Sequence, residues 1–206
     1  MPRTLALDSL DPDLALTRLR DGNRRFVAGQ ETALRGWRPG LAEGQRPFAV
    51  VLGCSDSRAP AEYVFDQGLG DLFVIRVAGN IVAPSLAGSV EFAASSFGTR
   101  LVVVMGHSEC GAIAASLHAI DHGGVPESKN LRSIVDRIVP NLTDLPPKED
   151  PERYLAAVRT NARASAKALV KASPLLEELV PDRRVVVVAA VYDLKTGVVE
   201  FLDLAV

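Results

Sequence analysis

Cysteine is scarce in this chain: two residues, Cys54 and Cys110, stand among 206, together with three histidines. Two cysteines so far apart do not resemble the disulfide framework of a small secreted domain. The N-terminal segment also lacks a basic stretch followed by an apolar one, as a secretory leader has. We therefore expect reduced thiols and a cytoplasmic protein.

Strong net charge and long apolar runs are lacking as well. Lysine and arginine number 23 against 25 aspartates and glutamates, a formal net charge of -2, which argues against a nucleic-acid partner. No run approaches the roughly 20 apolar residues that a membrane helix needs, so we expect no membrane association. With 48% hydrophobic residues, the chain can bury the core of a single domain spanning residues 1–206.

Continuous apolar runs alternate with helical patterns along the chain. The runs "FAVVLG", "DLFVIRVAG", "RLVVVMGH" and "RRVVVVAAVYD" have little or no polar face, which is typical of parallel strands covered on both sides. The last run turns at "LKTG" into "VVEFLDLAV", which reads as an antiparallel strand. The pattern predicts an α/β fold with a mostly parallel central sheet of four strands, an antiparallel edge strand and flanking helices.

Helix signals fill the segments between these strands. An N-terminal helical arm is predicted at about residues 11–29, beginning with Asp-Pro, ending at a glycine and broken near Gly22. Ser85 and Ser108 are expected to be the N-caps of the helices that follow the second and third strands. A long helix is expected from about residue 152 to residue 171.

Both cysteines and one histidine lie at the ends of predicted parallel strands. Cys54 follows "FAVVLG", whereas His107 ends "RLVVVMGH" and precedes Cys110 by three positions. Side chains at the carboxyl ends of neighbouring parallel strands converge on the crevice in which ligands bind. Two sulfurs and one imidazole suit zinc, so we predict one Zn2+ per chain, held by Cys54, His107 and Cys110.

Three protein ligands leave one coordination position open, which is typical of catalytic rather than structural zinc sites. Asp56 is the nearest candidate for the fourth position, and Arg58 is the nearest side chain that can bind its carboxylate at both oxygens. If Asp56 pairs with Arg58, the metal is open to water. If Asp56 turns to the metal, the site is closed, and opening is then expected to depend on pH.

The segment "CSDSR", followed further along the chain by "GHSECGA", resembles the β-class carbonic anhydrases, and "GNRRFVAG" and "FVIRVAGN" extend the similarity over most of the chain. The resemblance implies zinc-dependent reversible hydration of carbon dioxide to bicarbonate and a proton, by attack of zinc-bound hydroxide. It implies that Asp56 and Arg58 form the catalytic dyad and that Gln45 donates a hydrogen bond to the substrate. The family lines a narrow apolar pocket for carbon dioxide at the positions of Phe73, Ala78, Phe92 and Gly111, whereas the sequence itself favours ordinary core packing for Phe73 and Phe92.

The resemblance also implies a homodimer, in which N-terminal helices reach over the partner and Gln45 serves the site of the other chain. The sequence leaves a tetramer open. A subset of the family has a tryptophan at the position of Val51, where it forms a non-catalytic bicarbonate site with an arginine and a tyrosine that match Arg76 and Tyr192. Because this chain has valine there, we expect no inhibition by bicarbonate through that site.

Two other functions share parts of the pattern. A hydrolase of carbon disulfide or carbonyl sulfide could use the same zinc hydroxide, and access to the pocket decides between the substrates. A zinc or thiol redox sensor could release metal on oxidation of Cys54 and Cys110, but a sensor has no need of the dyad. His118 and His122 lie four apart on one helix face, and we interpret them as solvated polar residues rather than as a second metal site or a proton relay.

Overall fold

Five strands form one sheet in the part of the chain that the structure, a computed structural model, describes: residues 9–32, 36, 39–124 and 126–202. The strands are β1 (Ala49–Gly53), β2 (Leu72–Arg76), β3 (Leu101–His107), β4 (Val186–Tyr192) and β5 (Val199–Phe201). Their order across the sheet is β2-β1-β3-β4-β5, with β1 to β4 parallel and β5 antiparallel to β4. This arrangement confirms the predicted fold class.

Helices cover both faces of the sheet. They are α1 (Pro12–Val27), α2 (Ala61–Val64), α3 (Pro84–Phe97), α4 (Gly111–His122), α5 (Lys129–Ile138), α6 (Arg153–Lys171) and α7 (Pro174–Leu179). The long helix thus lies where the sequence predicts it. In the described residues, no helix is long and apolar enough to span a membrane.

Every residue of β1, β3 and β4 is buried, which explains the unbroken apolar runs in the sequence. Alternate side chains point to opposite faces, and two separate clusters of apolar residues result. One cluster contains Val50, Val102 and Val187 together with side chains of α3, α4 and α6. The other contains Val51, Val103 and side chains of α1 and α2.

Helix α1 is continuous from Pro12 to Val27, so the predicted break near Gly22 is wrong. Gly22 instead allows α1 to pack closely against the backbone at Phe65, because a Cβ at this position would lie 1.8 Å from the carbonyl oxygen of Phe65. Ala15 and Leu19 of the same helix are fully buried against the second cluster. The described part of the N-terminal arm therefore packs on its own chain.

Two predicted helix caps are wrong. Helix α3 begins at Pro84 with Ala83 as the N-cap, because the fixed φ of proline suits the first helical position; Ser85 is already inside the helix. Helix α4 begins at Gly111, and its N-cap is Cys110 rather than Ser108. This shift places the second cysteine at the junction between the loop after β3 and the helix.

Candidate metal centre

The predicted metal ligands meet at the carboxyl end of the sheet. Cys54 directly follows β1 and His107 is the last residue of the neighbouring parallel strand β3, so both side chains emerge at the same edge. Cys110 reaches this edge from the N-cap of α4. The two sulfurs and a ring nitrogen of His107 all lie within 4.8 Å of one another, and all three residues are buried. We call these three residues the triad.

His107 is oriented for metal binding through Nε2. Its Nδ1 lies 2.7 Å from the carbonyl oxygen of Ser108, which selects the tautomer with hydrogen on Nδ1 and leaves the Nε2 lone pair free. Within the described residues, Nε2 has no hydrogen-bond partner although His107 is only 1% exposed. A buried nitrogen without a partner is costly unless a ligand binds it, so the site fits a metal ion.

The two sulfurs of the triad interact directly. A hydrogen bond with Cys110 lowers the pKa of Cys54 to about 4, against the opposing effect of burial. The same hydrogen bond and burial raise the pKa of the Cys110 thiol. A thiolate is the form of cysteine that binds metal, so the contact between the sulfurs favours the metal-binding form of Cys54.

The amide of Gly79 gives Cys54 a further hydrogen bond, with 3.4 Å between the backbone nitrogen and Sγ. Gly79 belongs to a short 3-10 turn, Ala78–Asn80, that follows β2. This contact also lowers the pKa of Cys54, although less than the contact with Cys110 does.

Asp56 and Arg58, the predicted dyad, form a bidentate pair beside the triad. Nε of Arg58 donates to Oδ1 of Asp56 at 2.9 Å, and Nη2 donates to Oδ2 at 2.8 Å. Oδ2 of Asp56 also lies 4.0 Å from Nε2 of His107. The hydrogen bonds from Arg58 hold the pKa of Asp56 well below its usual range, so the carboxylate is ionised and paired with Arg58.

Two arginines also hold backbone carbonyls around the site. Arg58 donates to the carbonyl of Glu109 at 3.2 Å. Arg76, at the end of β2, donates to the carbonyl of Cys54 at 2.9 Å and to the carbonyl of Asp56. The segment from Cys54 to Asp56 is therefore fastened to the neighbouring edge strand.

Tyr154 supports the other cysteine from helix α6. Its hydroxyl donates to the carbonyl of Cys110 at 2.6 Å, and burial raises the pKa of the phenol, which keeps the hydroxyl protonated. Tyr154, Gly79 and the loop contacts of Arg76 were not predicted from the sequence. Gly79 differs from its neighbours in the sequence only as the glycine that ends the run "DLFVIRVAG".

The predicted pocket residues separate into two groups. Ala78 precedes Gly79 and Gly111 follows Cys110, so both flank the triad. Phe73 and Phe92 lie instead in an aromatic cluster with Phe97, in which ring centroids are 5.6 to 6.1 Å apart. Phe92 is 53% exposed, and Phe73 pairs with the beginning of β1, away from the end that leads to the triad.

Gln45 lies at the opposite end of the sheet from the triad of its own chain. It is exposed and lines an open cavity of about 540 Å³ with Leu69 and Asp71, which precede β2. Gln45 precedes β1 and Cys54 follows it, and a strand of five residues spans about 16 Å. Within one chain, the fold does not bring Gln45 to the metal centre.

Val51, Tyr192 and His122, which were also singled out in the sequence, differ in burial and in their contacts. Val51 is fully buried in β1, and Tyr192 is 5% exposed beside His107 on β4. His122 has both ring nitrogens engaged, Nδ1 with the carbonyl of His118 at 3.2 Å and Nε2 with Nζ of Lys148 at 3.3 Å. This geometry leaves His122 no nitrogen for a metal and fits its interpretation as a polar surface residue.

The sequence is similar to those of known proteins over most of its length. A family model described as carbonic anhydrase matches residues 49–199. Carbonic anhydrase 2 of Mycobacterium tuberculosis is 36% identical over 194 residues, which are 93% of this chain and 93% of that protein. The carbonic anhydrase of Mycolicibacterium smegmatis is 48% identical over 135 residues, or 64% of this chain and 65% of its own.

Solved structures show the same fold. A β-carbonic anhydrase of the fungal pathogen Aspergillus fumigatus is 29% identical, with a TM-score of 0.67 over 82% of this chain and 80% of that chain. One of two tetrameric β-carbonic anhydrases from Sordaria macrospora has a TM-score of 0.68 at 24% identity and covers 93% of this chain and 95% of its own. At that identity, the second match supports the fold alone.

Proposed function

The chain belongs to the β-class carbonic anhydrases, enzymes that hydrate carbon dioxide reversibly to bicarbonate and a proton, and we propose that the triad and the dyad form its catalytic centre. One observation carries the proposal. The ionised carboxylate of Asp56 stands 4.0 Å from the unpartnered, buried nitrogen of His107, at the edge where both cysteines converge. The site therefore combines a metal-binding donor set with a fixed anionic group.

Zinc is the metal that we propose for the triad. Two sulfurs and one imidazole form a borderline-soft donor set that zinc prefers, and three ligands leave one position for water. When bound, zinc would lower the pKa of a coordinated water, as it does to about 7 in well-known catalytic sites, and so supply hydroxide as the nucleophile. The residues of the chain then have to orient that nucleophile and exclude other ligands.

Asp56 orients the nucleophile in this proposal. Its carboxylate accepts a hydrogen bond from the reacting oxygen, and Arg58 fixes the direction of the carboxylate by holding both of its oxygens. Because the pKa of Asp56 lies well below its usual range, the carboxylate does not keep a proton near neutrality. Its role is therefore orientation rather than proton storage.

We also propose that the smallest active unit is a homodimer. Ala78 and Gly111 flank the triad within one chain, but Gln45 lies at the far end of the sheet and can reach such a site only from a second copy. The exposed side chain of Phe92 gives a second copy an apolar surface to cover. In a dimer of this kind, the glutamine amide donates a hydrogen bond to a substrate oxygen on which charge develops.

Stopped-flow measurement of carbon dioxide hydration tests the catalytic centre. We expect zinc-loaded Asp56→Ala to keep its zinc but lose about 100-fold in turnover, because the nucleophile is no longer oriented. Asp136→Ala is the matched control, since Asp136 forms only an exposed ion pair with Arg132 on α5. Unchanged turnover in Asp56→Ala would remove the dyad from the mechanism. The same assay with carbon disulfide or carbonyl sulfide as competitor measures whether these linear substrates enter the site.

A further inference from the structure

Gly79 has a backbone conformation that other residues adopt only with strain. Its φ is +70°, and a Cβ at this position would lie 2.7 Å from Cδ1 of Ile138 and 3.0 Å from Cβ of Ala112. Its amide is the one that donates to Sγ of Cys54. The N–H and the carbonyl of Gly79 lie in the two rigid peptide planes that meet at its Cα, so the φ and ψ angles of Gly79 link the direction of one group to that of the other.

Asn161 holds the carbonyl of the same glycine from helix α6. Its Nδ2 donates to the oxygen of Gly79 at 3.0 Å, and its Oδ1 accepts from Nδ2 of Asn141 at 3.1 Å. Asn161 is 1% exposed on a helix face that also packs apolar side chains such as Val158 and Ala162 against the sheet. A buried amide is costly in such surroundings unless its hydrogen bonds are made, so this pair of amides has a fixed orientation.

On the basis of the metal centre proposed above, we propose that Asn161 is a positioning residue that tunes the sulfur of Cys54 through Gly79. With its carbonyl held by Asn161, Gly79 keeps its N–H directed at the sulfur. A hydrogen bond to a ligating sulfur stabilises its lone pairs, so the sulfur donates less charge to the metal. Asn161 thus offsets part of the charge donation that two thiolate ligands bring to one ion.

Cobalt substitution tests this inference without relying on activity. We expect Asn161→Leu, which keeps the branching at Cγ but removes the amide, to shift the sulfur-to-cobalt charge-transfer band to longer wavelength than in the wild type. We also expect zinc to leave the variant for a chelator about tenfold faster, because Gly79 no longer holds the sulfur in a fixed position and this loss outweighs the gain in charge donation. Ser165→Ala is the control, because Ser165 is buried one turn further along α6 and, in the described structure, makes no hydrogen bond to Gly79 or the triad. The control is expected to keep both wild-type values.

Each result of this experiment has one interpretation. A band in Asn161→Leu at the wild-type wavelength overturns the inference about Asn161. Absence of a charge-transfer band in the wild-type protein with cobalt refutes the proposed metal centre instead. If Asn161→Leu does not fold, Asn141→Ala decides, because it removes the hydrogen bond that orients Asn161 from a partly exposed position. A smaller shift in the same direction supports the inference, and an unchanged band overturns it.

Discussion

Arg58 binds Asp56 and the carbonyl of Glu109 at the same time, at 2.8 Å and 3.2 Å from one guanidinium nitrogen. It thereby links the segment after Cys54 to the segment before Cys110. More than half of the Arg58 side chain is exposed, and an exposed ion pair contributes little to the free energy of unfolding. Arg58 therefore acts mainly by fixing the positions of the Asp56 carboxylate and the Glu109 carbonyl. Its replacement should change catalysis more than stability.

Arg58→Lys is expected to lower kcat/KM by about 10- to 100-fold at unchanged zinc content, because lysine cannot hold both carboxylate oxygens in one plane. Stopped-flow kinetics and metal analysis of the same preparation measure both quantities. Arg132→Lys is the matched control, since Arg132 pairs with Asp136 on the surface of α5. Equal kcat/KM in Arg58→Lys and wild type contradicts the orienting role.

The low pKa of Asp56 predicts how stability responds to acid. Arg58 lowers the pKa of the folded carboxyl below that of the unfolded chain, about 3.9, so its stabilising effect is complete above that value and is lost as the pH falls towards the folded pKa. The difference in unfolding free energy between the wild type and Asp56→Asn should shrink as the pH falls below about 4. Urea unfolding of the zinc-free proteins checks this. A difference that stays unchanged from about pH 5 to about pH 3 refutes the prediction.

Gly79→Ala is expected to destabilise the protein by about 2–4 kcal/mol, from the positive φ and from contact with Ile138 together. Gly123→Ala separates the two causes, because Gly123 has the same φ of +70° but open space around its Cβ position. Only about 1 kcal/mol is expected there. Chemical unfolding of both variants measures the difference. Equal losses show that steric contact at Gly79 contributes nothing.

Tyr154→Phe removes the hydroxyl that holds the carbonyl of Cys110. We expect a loss of about 1 kcal/mol in unfolding free energy, together with faster release of zinc, because the second sulfur ligand is less well fixed. Tyr63→Phe serves as the control, since Tyr63 is 57% exposed. If zinc leaves both variants at the wild-type rate, the hydrogen bond from Tyr154 has no part in holding the metal.

Mixing two inactive variants tests whether Gln45 serves the site of a second chain. Gln45→Ala and Asp56→Asn should each have low activity, whereas a refolded mixture should regain about a quarter of wild-type activity, because half of the dimers are mixed and each has one complete site. If Gln45 serves its own chain, no mixed dimer has a complete site and activity stays low. Light scattering on the wild type should give at least twice the chain mass of 22.0 kDa. A mass of one chain rejects the dimer.

The triad could be predicted from sequence because the chain offers so few alternatives. Its two cysteines both follow apolar runs, and such runs are a reliable sign of parallel strands whose two faces are covered. Strand ends on one edge of a parallel sheet must then lie together. The proximity of Cys54 and His107 could therefore be predicted before any interatomic distance was known.

Local sequence patterns do not indicate which distant segments of the chain contact one another. Ser108 has the residue type and position of a helix cap, but its hydroxyl accepts from the amide of Leu194, 86 residues away, and Cys110 takes the cap position instead. Asn161 likewise reaches Gly79 across 82 positions. In the sequence, Asn161 is recognisable only as an amide on a mostly apolar helix face.

The attachment of the triad to β1 and β3 has a consequence for local opening. β3 is the middle strand of the five, and its last residue, His107, still pairs with Tyr192 of β4. Amides in such a position exchange with solvent only through openings that approach global unfolding. Hydrogen exchange at β3 should therefore be among the slowest in the molecule, and an excursion that carries the histidine ligand away must break the centre of the sheet.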